Sequence, residues 1–353
     1  MSSPSPAARA SLDAASFSGL VLAPLVRHRD LDREMAHLAL AAILRGEVEA
    51  IHIAAFLTAL TAKGETPEEM TGFVDAMVAA ATTFDLEADA LDIVGTGGDQ
   101  LHTVNVSTMA ALAVAGVGVP VAKHGNRAAS SSVGAADVLE GLGVRLDVAP
   151  PTIRRCVRDA GMGFIFAPVY HHALGYLTPI RRTLNFRTVF NVLGPLANPA
   201  GVRRLVVGVA HRDNLEPMAH VLRSRGITKA ILVCAGDGMD ELTLGSASDI
   251  ATVDGEGVRI DRLDAASILG RHHSVDEVRG GDISHNVGVV ERFLGGAEDA
   301  VSDVVLANAA LALMAADRVA SLPEGFELAR DSVVSGRAAT VLSRLVELSN
   351  ATS

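Results

Sequence analysis

Tryptophan is absent from this 353-residue chain, and aromatic residues make up only 3 % of it. Aliphatic and Ala contacts must therefore build whatever core the chain has. Only two Cys occur, Cys156 and Cys234, far apart and without a CxxC spacing. That excludes a disulfide framework and a zinc–cysteine site, and it fits a reducing cytoplasm. No uninterrupted apolar stretch approaches the ~20 residues that a membrane span needs. No dense Lys/Arg block is present and the formal net charge is −11, which argues against a nucleic-acid partner held through its phosphates. An acidic protein can still bind a small phosphorylated ligand through a few local cations. Hydrophobic residues make up 49 % of the chain and charged ones 20 %, the composition of a packed globule rather than a disordered chain. The start, MSSPSPAARASLDAAS, lacks a basic segment followed by an apolar one, so residues 1–19 are expected to form a mobile tail, not a signal peptide.

Several catalytic signatures are missing as well. His171–His172 and His272–His273 are adjacent pairs without HExxH spacing. No GxSxG elbow exists, and Ser130 to Ser132 are not a nucleophile signature. Cys156 falls on a helical pattern and Cys234 in an apolar strand, so both are expected to be buried and inert.

What is present falls into two textures. From about Leu20 to Phe84 the periodicity is helical throughout. LDREMAHLALAAILRGE (31–47) and IHIAAFLTALTAKGE (51–65) place apolar residues three and four apart. TPEEMTGFVDAMVAAA (66–81) opens with Thr66, Pro67 and Glu69, a capping-box arrangement. After this, short apolar runs alternate with helical patterns. ALDIV (90–94), VPVAK (119–123), FIFAP (164–168), RRLVVGVA (203–210) and KAILVCAG (229–236) read as strands. Such alternation implies a mainly parallel sheet flanked by helices, which takes its ligands at the carboxyl ends of the strands. The segment 170–199 keeps a helical period between strands and reads as a crossover packing back onto the first helices.

Three polar motifs follow directly after strands, hence on one rim. GTGGDQLHTVNVST (95–108) has three glycines for close backbone approach, then a helix start that favours anions, with Asn105, Ser107 and Thr108 beside it. It is neither a Walker A loop nor a Rossmann fingerprint. Asp99 sits inside this cradle, where a carboxylate repels phosphate. KHGNR (123–127) gathers Lys123, His124, Asn126 and Arg127, with Lys123 as a point charge for phosphate. DGMDELTL (237–244) holds adjacent Asp240 and Glu241, hard oxygen ligands of the kind Mg²⁺ uses together with substrate phosphates. Mg²⁺ between the acidic groups and a pyrophosphate would let both share the pocket. Asp99 accepting from a sugar hydroxyl, or fixing its own loop, is the alternative.

Taken in order and spacing, GTGGD, NVST, KHGNRAASS, the GxADxLExLG run (134–143), RTVFNVLGPLANP (187–199) and DGMDEL resemble the anthranilate phosphoribosyltransferase family of tryptophan biosynthesis. The likeness runs from about Leu31 to the C-terminal helix. It implies an α/β fold of the nucleoside phosphorylase and phosphoribosyltransferase type: a small all-helical N-terminal domain plus a larger α/β domain. Residues 20–88, with returning helices at about 170–195, would form the first. Residues 89–169 and 196–353 would form the second, which binds phosphoribosyl pyrophosphate (PRPP).

The resemblance further implies transfer of the phosphoribosyl group to the amine of anthranilate. Gly95, Thr96, Gly97, Gly98, Asp99 and Thr103 would hold PRPP, together with Asn105, Val106, Ser107, Thr108, Lys123, His124 and Gly125. Gly95, Asn126, His171, Arg181 and Gly194 would take anthranilate. Ser107, Asp240 and Glu241 would bind Mg²⁺, as two ions. No residue need act as nucleophile, and His124 is the one candidate base. A homodimer with contacts through the helical domain is implied too. The chain departs from the family pattern at Gln100, Ala135, His172, Leu174, Asn185 and Phe186; Gln100 and Asn185 stand where Gly is usual. These departures leave a different aromatic acceptor open, and a nucleoside phosphorylase of the same architecture as a further alternative.

Overall fold

The computed structural model describes residues 12, 14–128 and 133–351, so Ser130 to Ser132 and residues 1–11 lie outside the described residues. The chain divides into two compact units. One comprises the chain up to Thr83 together with Tyr170–Pro199, the other Phe84–Val169 together with the chain from Ala200 onward.

In the first unit the three anticipated helices run Arg33–Leu44, Ala50–Lys63 and Pro67–Ala79. The capping box forms: Thr66 accepts from the Glu69 amide, and Glu69 accepts from the Thr66 amide. Glu69 does more than cap. Fully buried, it also accepts from the Leu31 amide at 2.9 Å and from Lys63 at 2.9 Å, tying two helix starts together. Phe17, Phe56 and Phe73 stack edge to face, with centroids 6.0 and 5.7 Å apart. Phe17 is fully buried and lies in helix Ala14–Phe17. The expected mobile tail of residues 1–19 is thus corrected from residue 14 onward: hydrophobic burial of Phe17 draws the chain into the unit before residue 20. The returning segment packs as the crossover reading anticipates. The Tyr170 carbonyl accepts from the Thr82 amide, and helices Thr178–Leu184 and Phe190–Leu193 contact helices Ala50–Lys63 and Pro67–Ala79.

In the second unit the strands are β1 Leu91–Gly95, β2 Val121–Gly125, β3 Met162–Phe166, β4 Arg204–Gly208, β5 Lys229–Ala235, β6 Ser248–Asp254 and β7 Gly257–Leu263. They form one sheet in the order β3-β2-β1-β4-β5-β6-β7. The first five are parallel, and β6 runs antiparallel to both its neighbours, β5 and β7. β2 starts two residues later than expected because Pro120 has no N–H to give the ladder. The β6–β7 hairpin escapes the alternation argument. Its signal is the turn Asp254-Gly255-Glu256-Gly257, where the Asp254 carboxylate accepts from the Glu256 amide at 2.9 Å.

Helix Val106–Val117 follows β1 and is buried on nearly every side, which its Ala-rich sequence permits. Helices Ala300–Ala315, Leu322–Val334 and Arg337–Asn350 pack over it. Strand order reverses between β1 and β4, and ligands of open α/β sheets bind outside the carboxyl ends at such a switch point. Cys156 and Cys234 are buried free thiols. Among the described residues, no helix is long and apolar enough to cross a membrane.

Candidate active site

The rim at the switch point is built on a pair of glycines. Gly95 ends β1 and Gly208 ends β4, in register with each other. A Cβ at Gly208 would lie 1.5 Å from the Asp240 carbonyl oxygen, and one at Gly95 would lie 2.6 Å from Asp240 Oδ2. Only glycine at both places lets the turn after β5 fold down across the strand ends. The Gly97 amide then donates to Asp240 Oδ2 at 2.6 Å, joining the Gly-rich loop to the acidic turn.

This closure gathers three carboxylates. Oxygens of Asp99, Asp240 and Glu241 all lie within 4.8 Å of one another. Burial pushes the Asp240 carboxyl up to about 6, and the nearby Asp99 charge adds to the rise. Glu241 is raised well above the ordinary carboxylate range by burial, then by the charges of Asp240 and Asp99. Asp99 Oδ2 and Glu241 Oε2 are buried, and neither has a hydrogen-bond partner among the described residues. Unpaired, hard carboxylate oxygens at this spacing fit a divalent cation such as Mg²⁺, whose charge would favour their ionised form.

Asp99 Oδ1 accepts from the Leu101 amide at 3.2 Å and so fixes its own loop, while the carboxylate also belongs to the acidic group. Gln100, one of the departures from the family pattern, has φ +60°, and His102 has φ +54°. The loop demands left-handed backbone where glycine is usual, and Gln100 meets that demand at a strain cost of about 1–2 kcal/mol.

Lys123 lies in β2 and is fully buried. Its ammonium donates to the Ile93 carbonyl and, at 3.1 Å, to Ser107 Oγ. Burial lowers Lys123 to about 8, against the raising charges of Asp92 and Glu241. The His124 side chain is buried in β2, and its backbone amide donates to Asp92 Oδ1 at 3.1 Å.

Several other expected ligands are engaged in holding the rim. Thr96 Oγ1 accepts from the Ala210 amide at 3.1 Å. Thr103 bridges to Arg279, while the Val104 amide donates to the Val278 carbonyl. Asn105 Nδ2 donates to the Val133 carbonyl at 3.0 Å and its Oδ1 accepts from Asn286 Nδ2 at 3.0 Å. Val106 and Thr108 are buried at the start of their helix, with Thr108 Oγ1 unpaired among the described residues. Asn126 Oδ1 accepts from the Arg127 amide. Arg127, which shares the KHGNR turn, reaches Asp137 and Glu140 and lies over the Phe166 ring, a clamp on the following helix. Sequence reasoning misses Asn286, Asp92 and Gly208. A lone amide in ISHNVGVVERFL and an acid inside the LDIVG strand are the signals that mark the first two.

The helical unit holds His171, Arg181 and Gly194. His171 is buried, Nε2 donating to the Ala197 carbonyl at 3.0 Å, and burial lowers its pKa. Arg181 is half-buried, packs 5.4 Å over the Phe190 ring and forms no ion pair among the described residues; burial lowers its pKa too. A Cβ at Gly194 would meet nothing within 4 Å. Asn185 has φ +53° and ends helix Thr178–Leu184. That departure from the usual Gly is therefore a helix cap, which Asn tolerates better than other non-glycine residues.

The glycosyl transferase family's a/b domain matches residues 87–339, and its helical bundle domain matches residues 21–81. An anthranilate phosphoribosyltransferase from Thermomicrobium roseum is 47 % identical over 94 % of this chain and 97 % of its own. The crystal structure of anthranilate phosphoribosyltransferase from Thermus thermophilus superposes with a TM-score of 0.87 at 38 % identity, covering 94 % of this chain and 99 % of that one. The Saccharomyces cerevisiae enzyme, in complex with PRPP and Mg, gives a TM-score of 0.88 at 26 % identity, covering 96 % and 99 %. On that coverage, with its own Gly-rich loop and acidic turn in place, the chain belongs to the anthranilate phosphoribosyltransferase family.

Proposed function

We propose that this protein transfers the 5-phosphoribosyl group of PRPP to the amine of anthranilate. The products are N-(5-phosphoribosyl)anthranilate and pyrophosphate, and the reaction is the second step of tryptophan biosynthesis from chorismate. The observation that carries the reading is the joining of the Gly-rich loop to three converging carboxylates through Gly97 and Asp240. A Gly-rich loop of this kind suits a polyphosphate, and hard oxygens facing it suit the cation that such a ligand brings.

Asp240, Glu241 and Asp99 would hold Mg²⁺, which would supply charge neutralisation for the departing pyrophosphate. We assign two ions, and Ser107 as a further oxygen ligand. The amides of the 95–99 loop and the start of helix Val106–Val117 bind the diphosphate. Lys123 holds Ser107 in place and adds positive charge behind the loop. Arg181 supplies the guanidinium fork for the acceptor's carboxylate, its charge held ready by a half-buried setting without an anionic partner among the described residues. Gly194 leaves room for the ring.

The aromatic amine is a weak nucleophile, so the anomeric carbon must develop positive charge before bonding is far advanced. Positioning the amine against that carbon is worth up to ~7–11 kcal/mol. The amine sheds its proton readily after attack, so no side chain need remove it. A homodimer in the cytoplasm completes the proposal, supported by family membership.

The test is direct. Protein with Mg²⁺, PRPP and anthranilate should yield the fluorescent phosphoribosyl-anthranilate. Pyrophosphate release with another aromatic amine, but none with anthranilate, would overturn the acceptor assignment. Phosphorolysis of a nucleoside without PRPP turnover would overturn the reaction class.

A further inference from the structure

We propose that Asn308 is a positioning residue for the Asp240–Glu241 pair: its buried amide clamps the backbone directly after the two carboxylates and so fixes where they face. The inference rests on the reading of that pair as a cation and pyrophosphate site. Asn308 lies in helix Ala300–Ala315, a run of mostly Val, Leu and Ala, and is only 3 % exposed. A buried amide is costly unless satisfied, and this one spends its groups in one direction. Oδ1 accepts from the Leu242 amide at 2.9 Å, and Nδ2 donates to the Leu242 carbonyl at 2.8 Å and to the Val304 carbonyl at 2.9 Å. One side chain thus gives Leu242 the two bonds that a paired strand residue would provide.

Leu242 needs them. Residues 237–247 belong to no helix or strand, so no ladder satisfies their backbone groups. Leu242 is fully buried, which keeps water from replacing the bonds. The residue just before it is Glu241, and Asp240, Glu241 and Asp99 repel one another. A loosely held turn would relieve that repulsion by swinging its carboxylates apart. Met239 and Leu242 sunk in the core, together with the Asn308 clamp, oppose this and keep the oxygens gathered before any cation arrives. Without the clamp a cation must first regather its ligands, so affinity falls while turnover at saturating cation stays near that of the wild type.

The test compares Asn308→Ala with Ser332→Ala. Ser332 donates to the buried Ala113 carbonyl at 2.8 Å, away from the acidic turn, so its loss controls for general destabilisation. Two quantities are read on the full chain: uptake of Mn²⁺ with PRPP, from the free-ion EPR signal, and the Mg²⁺ concentration at half-maximal turnover. Asn308→Ala should weaken both by about 10-fold or more, the usual loss when a ligand's supporting partner is removed, with kcat at saturating Mg²⁺ near wild type. Ser332→Ala should lower the melting temperature and move neither midpoint. Should Asn308→Ala not fold, Asn308→Leu keeps the volume without either bond to Leu242, and the same weakening is expected. Unchanged midpoints in the Asn308 variant, or an equal shift in Ser332→Ala, would overturn the proposal. Wild-type protein that takes up no Mn²⁺ would overturn the reading of the site on which it rests.

Discussion

The Gly97 amide and the Asp240 carboxylate, 143 residues apart, meet at 2.6 Å. That bond makes the Gly-rich loop and the acidic turn a single structure, and it depends on a neighbour that carries no functional group. Gly208→Ala would bring a methyl to within 1.5 Å of the Asp240 carbonyl oxygen, so the turn must lift. We expect a stability loss of about 1–3 kcal/mol from overpacking and near-complete loss of turnover, read by urea denaturation and product fluorescence. A variant with wild-type turnover would show that the close approach is dispensable.

The acidic cluster is held against its own repulsion, which predicts a stability response to charge. Asp240→Asn together with Glu241→Gln should raise the melting temperature in metal-free buffer at about pH 7–8, because burial and mutual repulsion hold both folded carboxyls above the ordinary carboxylate range and so oppose folding there. If Asp240 and Glu241 hold Mg²⁺, the ion should raise the melting temperature of the wild type, and the same pair of changes should abolish that rise. Thermal melts with and without Mg²⁺ decide it. An equal Mg²⁺ increment in the variant would take the pair out of the metal site.

Much of this arrangement is legible in sequence because it rests on local chemistry. The three rim motifs each follow a strand, and strands in a parallel sheet share one carboxyl edge, so GTGGD, KHGNR and DGMDE have to fall together. The helix caps are legible for the same reason: Thr66, Pro67 and Glu69 act within one turn. What escapes is set by distant partners. Nothing near Gly208 in the chain says that the turn holding Asp240 will lie across it. Nothing near Asn308 says that its amide serves Leu242. Arg127 stands beside Lys123, His124 and Asn126 in the chain, yet Asp137 and Glu140 claim it through the fold. Gln100 and Asn185 read as departures close to the chemistry. Their left-handed backbones show them instead to be substitutes for glycine at turns.

His171 predicts a pH dependence for the helical unit. Burial depresses its folded pKa below the usual 6.5. Protons therefore bind the unfolded chain more tightly than the folded one. The stability that the neutral ring contributes is present above pH 6.5 and is lost as pH falls toward the depressed value. His171→Gln, which cannot titrate, should flatten the fall in stability below pH 6.5, even if it lowers stability at about pH 8. Urea denaturation across roughly pH 5–8, followed by helix signal, checks this; an unchanged slope would mean that another group governs the acid limb.

Arg181 and Gly194 predict effects on one substrate only. Arg181 is half-buried, packs on the Phe190 ring and has no ion pair to lose among the described residues. Its replacement by Ala should therefore cost little stability beyond that ring contact. If it binds the carboxylate of anthranilate, losing a charge-assisted bond worth about 1.5–3 kcal/mol should raise the KM for anthranilate roughly 10- to 150-fold, with the KM for PRPP near its original value. Gly194→Ala tests the same surface by shape. Its φ is −52° and its Cβ would meet no atom within 4 Å, so neither strain nor packing opposes the methyl. The melting temperature should stay unchanged while the KM for anthranilate rises. Parallel increases in both substrates' KM values, from either variant, would assign these residues to something other than the acceptor.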